Sequence, residues 1–401
     1  MNDITSSSKT LVTLRTSIFL VSLPFFILNM LIPVYGKDMG ANAVQIGLIF
    51  SAFSIMTILM RPLVGWALDQ YGRRPFYVFG MVGYALTMFS FAYSQQVWGM
   101  VAARFLQGAS SACVWLAASA IIADLATETN RAHIFGGLSQ ATSRGSILGA
   151  FVVFAIYSAP LDQIFGRPVD AKFWLFLVFA AFSLGAFSVA FARLPETKPN
   201  DGNLDATPIR WSRTWILLML VTLVTAAAWA MTSPILILFL QDHLQASFDS
   251  VAWAFLPSGL VWATLPSHLG KLADRFGRKP LMVLGLAASA LTMLILPSLT
   301  SVLGLAVLWA LLALCFAAGD PAEQALVADL TGNNQRGRAY GLYIMASDIG
   351  AAIGPLGGGW LYDHISTSAP FYVTSATLVV CGVILWIFLQ APKPKLAANA
   401  P

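Results

Sequence analysis

An eleven-residue pattern occurs twice in this 401-residue chain. GWALDQYGRRP runs from Gly65 to Pro75, and GKLADRFGRKP runs from Gly270 to Pro280, 205 positions later. The same offset aligns Asp124 with Asp329. A register that holds over so long a distance indicates an internal duplication, and a repeat of this length determines the architecture before any finer feature does. Two similar halves packed against each other predict a site between them.

Composition places the chain in a lipid bilayer. Hydrophobic residues make up 58% of the chain and charged residues 10%, which is too little charge to surround a water-soluble core of this size. A helix needs about 20 mostly apolar residues to span the hydrocarbon layer. Twelve stretches qualify, near residues 13–35, 43–68, 76–94, 97–123, 134–157, 172–193, 214–241, 250–273, 281–299, 302–329, 339–361 and 370–391. We predict an all-α membrane protein with twelve transmembrane helices in two pseudo-symmetric six-helix bundles.

A polar segment separates the two predicted bundles. Residues 195–213 are rich in Pro, Asn, Asp and charge, which is typical of a linker. We predict an N-terminal bundle over residues 1–194 and a C-terminal bundle with a short tail over residues 214–401. If the N-terminus is cytoplasmic, seventeen Lys and Arg residues lie on the inner side and three on the outer side. The positive-inside rule therefore predicts that both termini are cytoplasmic.

The sequence carries no motif that is typical of nucleic-acid binding, metal binding or ATP binding. The net charge of +5 follows the membrane topology, because no basic stripe with interleaved aromatic residues indicates nucleic-acid binding. The three Cys and four His residues are scattered without metal-ligand spacing. No Gly-Lys loop is present that could hold the phosphates of ATP. We expect no cofactor, no metal, no nucleic acid and no enzymatic activity, which leaves an ion gradient as the driving force.

Each copy of the repeated pattern joins the end of one helix to the start of the next. Gly72 and Gly277 permit a positive φ in a tight turn, and Gly65 and Gly270 permit close helix approach. At these residues the chain resembles the major facilitator superfamily, in its drug:H+ antiporter branch, whose first signature has the same arrangement of Gly, Asp and basic residues. In that family the loop Asp and Arg form a charge relay with an acid at the end of the fourth helix.

The resemblance therefore implies one cytoplasmic latch in each half. The first consists of Asp69, Arg73 and Asp124, and the second of Asp274, Arg278 and Asp329. The predicted gate residues are Gly65, Asp69, Gly72, Arg73, Arg74 and Asp124 in the first half, Gly270, Asp274, Gly277, Arg278, Lys279 and Asp329 in the second, and Arg61. The alternative is a surface ion pair that only anchors topology.

The resemblance extends to three further helices. RFLQGAS, with Arg104, resembles the family's fourth-helix pattern, in which an embedded Arg is associated with proton transfer. The eleventh helix carries the complete antiporter signature, and the fifth keeps its glycine spacing, so the resemblance favours export. We predict that the glycine ladder forms a flat face for packing between the halves; the alternative is ordinary close packing of membrane helices. The interface residues are Gly145, Gly149, Gly350, Gly354 and Pro355.

Charged residues inside the predicted spans indicate the mechanism. An ionised side chain at the bilayer centre costs about 2.5 to 3.5 kcal/mol, so such residues should face the protein interior or a water-filled cavity. A carboxylate there can be neutral when protonated and ionised when paired with Arg. The predicted proton-coupling residues are Asp320, Asp348, Glu323, Arg144 and Arg104. Asp320 ranks first, because it lies near the midplane and precedes a proline. The alternative is a static salt bridge or direct contact with substrate.

Four helices surround the central cavity in the geometry that the resemblance implies, namely the first, fourth, seventh and tenth. In this sequence they supply Phe25, Phe26, Asn29, Gln107, Trp115, Trp229 and Gln324. Aromatic faces with a few amides suit an amphipathic organic molecule, although each residue has the alternative reading of simple helix packing.

We therefore predict a proton-coupled exporter of small amphipathic molecules or drugs that works by alternating access. Its partners are a small-molecule substrate, protons and the lipid bilayer, and it is a monomer in the plasma membrane, as in the inner membrane of bacteria. One alternative is a proton symporter or facilitator for nutrient uptake. Another is a non-transporting membrane receptor or a lipid-modifying enzyme.

Overall fold

A computed structural model of the chain describes residues 2–125, 131–158, 170–197, 212–244, 248–264, 278–330 and 336–389. Within these ranges every regular element is a helix, and no strand occurs. The prediction of an all-α protein is confirmed. The first half contains α1 (Asn2–Val21), α2 (Phe25–Asp38), α3 (Ala43–Tyr71), α4 (Arg74–Tyr93), α5 (Val97–Leu125), α6 (Arg131–Ser158) and α7 (Ala171–Arg193). The second contains α8 (Arg213–Leu244), α9 (Phe248–Thr264), α10 (Arg278–Ile295), α11 (Val302–Leu330), α12 (Arg336–His364) and α13 (Ala369–Phe388).

The helices carry the apolar surface that a bilayer requires. Among the described residues, seven helices are long and apolar enough to cross a membrane, namely α3, α4, α5, α7, α8, α10 with the 3₁₀ turn that follows it, and α13. Large apolar side chains remain exposed on the outside of the protein: Phe79 is 71% exposed and Leu303 is 76% exposed. Such a surface would promote aggregation in water, whereas lipid tails cover it in a membrane.

The first predicted span is broken in its middle. α1 ends at Val21 and α2 begins after Pro24, which lacks the N–H that would continue the helical hydrogen bonds. Ser146 of α6 donates its hydroxyl to the carbonyl of Ser22 at 3.2 Å. A side chain of a neighbouring helix thus satisfies a carbonyl at the break, as lipid-buried backbone requires.

The chain divides into two compact units. Unit 1 comprises residues 1–41 and 48–204, and unit 2 comprises residues 42–47 and 205–401. The predicted linker, residues 195–213, is described only at residues 195–197 and 212–213. The bundle boundaries drawn from the sequence therefore stay a prediction.

The glycine ladder packs helices together inside each unit. In unit 1 a side chain at Gly145 or Gly149 would collide with the backbone carbonyl of Phe19 or Leu23. α6 therefore lies directly against the end of α1. In unit 2, Gly350 and Gly354 of α12 lie equally close to the backbone of α8 around Leu223 and Ala227. The contacts described for these four glycines lie within a unit and correspond to the alternative of ordinary close packing, in which the absent side chain lets two helix backbones approach. Packing of the glycine ladder between the halves stays a prediction.

Replacement of Gly354 by Ala should lower the apparent melting temperature of the purified protein in detergent. The new methyl group would collide with the Ala227 carbonyl, and overpacking of this kind costs about 1 to 3 kcal/mol. Gly341→Ala on the same helix is the matched control, since no described atom lies within 4 Å of its added carbon. Alanine is the better helix former, so the control should be neutral or stabilising. Equal melting temperatures for the two variants would contradict the packing described.

Candidate functional site

The first repeated loop forms an ion-pair cluster in unit 1. Arg73 donates from Nε to Asp124 Oδ2 at 3.2 Å and from Nη1 to Asp69 Oδ1 at 3.3 Å. Its Nη1 also donates to the Leu68 carbonyl at 2.8 Å. The side chains of Arg73 and Asp124 are 12% and 11% exposed, whereas that of Asp69 is 54% exposed. The Arg73–Asp124 pair is thus the better shielded from solvent, so removal of one of its partners costs more free energy than removal of Asp69 from the exposed pair.

Glu196 completes this cluster, although no motif in the sequence predicts a role for it. Its carboxylate accepts backbone hydrogen bonds from Arg73 at 2.8 Å and from Arg74 at 3.1 Å. A carboxylate at this position satisfies free N–H groups at the start of α4 and favours the positive end of the helix dipole. The next residue, Thr197, donates its hydroxyl to Asp124 at 3.1 Å. The chain just after α7 is therefore fastened to the loop.

Gly72 has the backbone conformation that the turn was predicted to need. Its φ is +96°, a value that residues with a side chain adopt rarely. Gly65 differs from expectation, because no described atom lies within 4 Å of where its side chain would start. Close helix approach in this unit occurs instead at positions such as Gly108, which lies against the backbone of α3.

Glu196→Ala should lower the apparent melting temperature by an amount that corresponds to about 1 kcal/mol, because two N–H groups of the α4 start lose their acceptor. Glu196→Gln is the control, since its amide oxygen can still accept one of these bonds. Thermal unfolding of both variants in the same detergent checks this. A melting temperature that is unchanged in both would show that the carboxylate does not stabilise the start of α4.

The second copy of the loop lies largely outside the described residues. Gly270, Asp274 and Gly277 are not described, and nothing is described of the Asp329 side chain. Lys279 is described, and its ammonium lies 5.6 Å from the centre of the Trp386 ring. Arg74, its counterpart in the repeat, lies 5.8 Å from the centre of the Phe191 ring. Both repeats thus place a basic residue at the start of a helix over an aromatic ring at the end of the last helix of their half.

Arg104 occupies the interior of unit 1. It is 5% exposed and donates from Nη1 to Oε1 of Gln107 at 2.8 Å. Its guanidinium carbon lies 4.7 Å from the ring centre of Phe50 and 5.7 Å from that of Phe53, both on α3. Two aromatic rings therefore lie close to the cation and attract it electrostatically.

An aromatic cluster lies beside this arginine. Phe25 of α2 lies 5.7 Å from Tyr84 and 6.2 Å from Trp115 between ring centres. The Tyr84 hydroxyl is hydrogen-bonded with the side chains of Ser111 and Trp115. The structure thus brings together Phe25 and Trp115, two of the predicted cavity residues. Sequence reasoning missed Tyr84, which lies on the third predicted span and outside the four helices expected to line the cavity.

In unit 2, Glu323 is a predicted proton-coupling carboxylate that makes a hydrogen bond to a neighbouring helix. Its Oε1 accepts a hydrogen bond from the Thr222 hydroxyl of α8 at 3.0 Å. Thr222 lies nine residues into α8 and Glu323 seven residues before the end of α11, so both lie about 10 to 13 Å from those helix ends. A hydroxyl can donate to an ionised carboxylate or accept from a protonated one. This contact can therefore persist whether or not Glu323 carries a proton.

The remaining predicted residues differ in how far they are exposed and in whether their side chains are described. Arg144 and Asn29 are exposed, whereas Arg61, Asp348 and Trp229 are half-buried. The backbone of α11 includes Asp320 and Gln324, and that of α2 includes Phe26, but the side chains of all three lie outside the described part of the structure. The expectation that charged residues of the spans face the protein interior or a water-filled cavity stays a prediction for Arg144, whose side chain is exposed within its own unit.

Asp363 is a further acid, and no motif in the sequence predicts a role for it. Within unit 2, its Oδ1 accepts from the backbone N–H of Ala43 at 3.2 Å and its Oδ2 from that of Val44 at 3.0 Å. Beside this contact, Gly359 lies directly against the Ala43 backbone. The carboxylate satisfies N–H groups at the start of α3, as Glu196 does for α4.

Comparison with known proteins identifies the family. The family model described as Major Facilitator Superfamily matches residues 16–215 and 218–401, and so covers both repeats. The chain belongs to the Major Facilitator Superfamily. Its fold is shared by the human organic anion transporter MFSD10, with a TM-score of 0.69 and 23% identity over 94% of this chain and 99% of that one. The nucleoside transporter NupG aligns with a TM-score of 0.72 and 15% identity over 95% of this chain and 100% of that one.

Curated relatives of this superfamily member match along almost the whole chain. Multidrug resistance protein 1 of Bacillus subtilis is 25% identical, with 97% of this chain and 98% of the relative covered. The quinolone resistance protein NorA of Staphylococcus aureus is 23% identical over 97% of this chain and 98% of its own length. The class H tetracycline resistance protein of Pasteurella multocida is 23% identical, with 90% of each covered. The protein is a membrane-embedded transporter of the superfamily, and the family points to transport rather than enzymatic catalysis.

Proposed function

We propose that this superfamily member is a proton-coupled exporter that exchanges external protons for small amphipathic organic molecules or drugs. The observation that carries the proposal is the similarity, over both halves of the chain, to relatives named for resistance to several drugs, to quinolones and to tetracycline. Resistance by a transporter requires that the drug leave the cell. The drug antiporter signature on α12, from Gly341 to Gly359, supports the same direction.

Coupling needs a carboxylate that can hold a proton away from bulk water. Asp320, Asp348 and Glu323 are the candidates, and the contact between Glu323 and Thr222 supports Glu323, which ranked third from sequence. The hydroxyl stabilises both protonation states by reversing its donor role. Release of the proton toward the cytoplasm would then alternate with substrate binding, as alternating access around a fixed site requires.

The unit 1 loop cluster supports a gate. Arg73, Asp124 and Glu196 join the α3–α4 loop to the end of α5 and to the chain after α7, so the cluster can form in one conformation and break in another. We assign the protein to the bacterial inner membrane as a monomer with both termini in the cytoplasm, following the bacterial relatives and the distribution of Lys and Arg.

Reconstitution tests this function. Purified protein in proteoliposomes should drive ethidium or tetracycline toward the acidic side when a pH gradient is imposed, and a protonophore should abolish that flux. Protein-free liposomes are the control. Movement of the drug toward the alkaline side, in the same direction as the protons, would instead indicate uptake by symport. Absence of any flux above the control would contradict the proposal.

A further inference from the structure

The Arg104 guanidinium has hydrogen-bonding capacity that its neighbours do not use. Nη1 donates to Gln107, whereas Nε and Nη2 are buried and have no acceptor among the described residues. Burial of a charged donor without an acceptor costs free energy. A protein retains such an arrangement at a cost in stability, which makes the residue a candidate for recognition of a ligand.

The two nitrogen atoms lie on one edge of the guanidinium plane. The N–H bonds of Nε and Nη2 point side by side, and this pair fits two oxygens of one carboxylate, phosphate or sulfonate. The bond to Gln107 uses the opposite end of the group. The edge that remains is thus the one that can make a bidentate contact with an anion.

The orientation of this edge is fixed by packing. Phe50 and Phe53 lie against the guanidinium, with ring centres 4.7 and 5.7 Å from its central carbon. α5 is held against α3 one turn further along, where Gly108 meets the Phe53 carbonyl and accepts a hydrogen bond from Thr57 at 3.3 Å. A donor pair held in place in this way loses little conformational entropy when an anion binds.

The Nε and Nη2 edge of Arg104 has no negative partner among the described residues, so an external anion can take that place. No described carboxylate lies within 4.0 Å of Arg104, and Tyr84 lies near it. Tyr84 also belongs to the aromatic cluster with Phe25 and Trp115. A cation beside aromatic rings suits a ligand that combines an acidic group with an apolar ring body.

We propose that Arg104 binds the anionic group of the substrate, and that the substrates therefore include aromatic carboxylic acids and zwitterions. The inference rests on the proposed transport function, because it assigns the ligand to that function. It differs from the proton-transfer role that the family resemblance implies for this residue. Since Nε and Nη2 are buried in the conformation described, the anion reaches them in another conformation of the transport cycle, in which the contacts of Arg104 with Phe50 and Phe53 are kept.

Matched pairs of acid and ester test this assignment. The probes are norfloxacin and 1-naphthoic acid, each with its methyl ester, and binding to the purified protein is followed by quenching of tryptophan fluorescence. The wild type should bind at least one acid about 10-fold or more tightly than its ester. Arg104→Lys keeps the charge but loses the bidentate edge, so the acid should bind about 10-fold more weakly. Arg104→Gln should bind the acid about 100-fold more weakly than the wild type does, and its affinity for the ester should be unchanged.

Two further variants separate recognition from folding. Gln107→Glu places a carboxylate beside Arg104 and should weaken acid binding at least 10-fold, while the melting temperature stays equal or rises. Arg193→Gln, which removes an exposed arginine at the end of α7, should leave the preference for acid unchanged. Equal affinity for acid and ester in the wild type, no binding of either acid, an acid preference that survives Arg104→Gln, or unaltered acid binding in Gln107→Glu would each overturn the assignment.

The outcome is distinguishable from a failure of the transport proposal. If the wild type prefers the acids through Arg104 but shows no flux in a pH gradient, the anion site holds and the exporter does not. If flux of ethidium or tetracycline follows the gradient but no acid preference exists, the exporter holds and the anion site is contradicted.

Discussion

We expect Glu323→Gln to abolish the response of drug flux to an imposed pH gradient, with a decrease of at least about 10-fold in proteoliposomes. The amide keeps the size of the side chain and can still accept the Thr222 hydrogen bond, but it cannot take up a proton. Folding should therefore be preserved while coupling is lost. Movement of drug down its own concentration gradient, measured without a pH difference, should persist, because binding and alternating access do not need the carboxylate itself.

Two comparison variants make this result specific. Thr222→Val removes the hydroxyl partner and should weaken the pH response by less than Glu323→Gln does, because the carboxylate remains. Asp320→Asn tests the acid that ranks first from sequence. If Asp320→Asn alone abolishes the pH response and Glu323→Gln retains it, the proton carrier is Asp320, and the role given to Glu323 is contradicted.

The second large effect is expected at the loop cluster. Asp124→Asn leaves Arg73 with its side chain 12% exposed and without its better shielded counter-charge. We expect the free energy of unfolding to decrease by about 1 to 3 kcal/mol, a value between those typical of exposed and of fully buried ion pairs. A gate that depends on this pair should also close less completely, so the rate of drug flux should change together with the melting temperature.

Asp69→Asn is the matched control for that prediction. It removes the other carboxylate of Arg73, but Asp69 is 54% exposed, so the expected loss is below about 1 kcal/mol. The double variant Arg73→Gln with Asp124→Asn should be more stable than the sum of the two single effects predicts, because neither member of the shielded pair is left as a charge without its partner. Equal effects of Asp69→Asn and Asp124→Asn, or strictly additive effects in the double variant, would contradict the ranking of the two pairs.

The loop was predictable because its chemistry is local and occurs twice. The positive φ of Gly72 follows from a glycine in a tight turn between two apolar spans. The contact between Arg73 and Asp124 follows from the repeat together with the family resemblance. Membrane embedding and the all-helical fold follow from composition and from the length of the apolar stretches alone.

Partners far apart in the chain could not be predicted in this way. Glu196 lies more than a hundred residues from the backbone groups it binds, and a single glutamate after a proline carries no spacing signal. Thr222 is one of several hydroxyl-bearing residues in an apolar helix, and nothing in the sequence distinguishes it as the partner of a carboxylate. The glycine ladder indicates that a backbone approaches closely, but not which one. The structure shows α6 against α1 and α12 against α8.

Proton movement driven by substrate tests the central claim of exchange most directly. Proteoliposomes are loaded with ethidium or tetracycline and an internal pH-sensitive dye, without a pH difference, and potassium with valinomycin clamps the voltage. Dilution into drug-free buffer should acidify the interior as drug leaves, and Glu323→Gln should abolish that signal. Alkalinisation of the interior, which is the sign of symport, or drug efflux without any change of internal pH would contradict the exchange of protons for substrate.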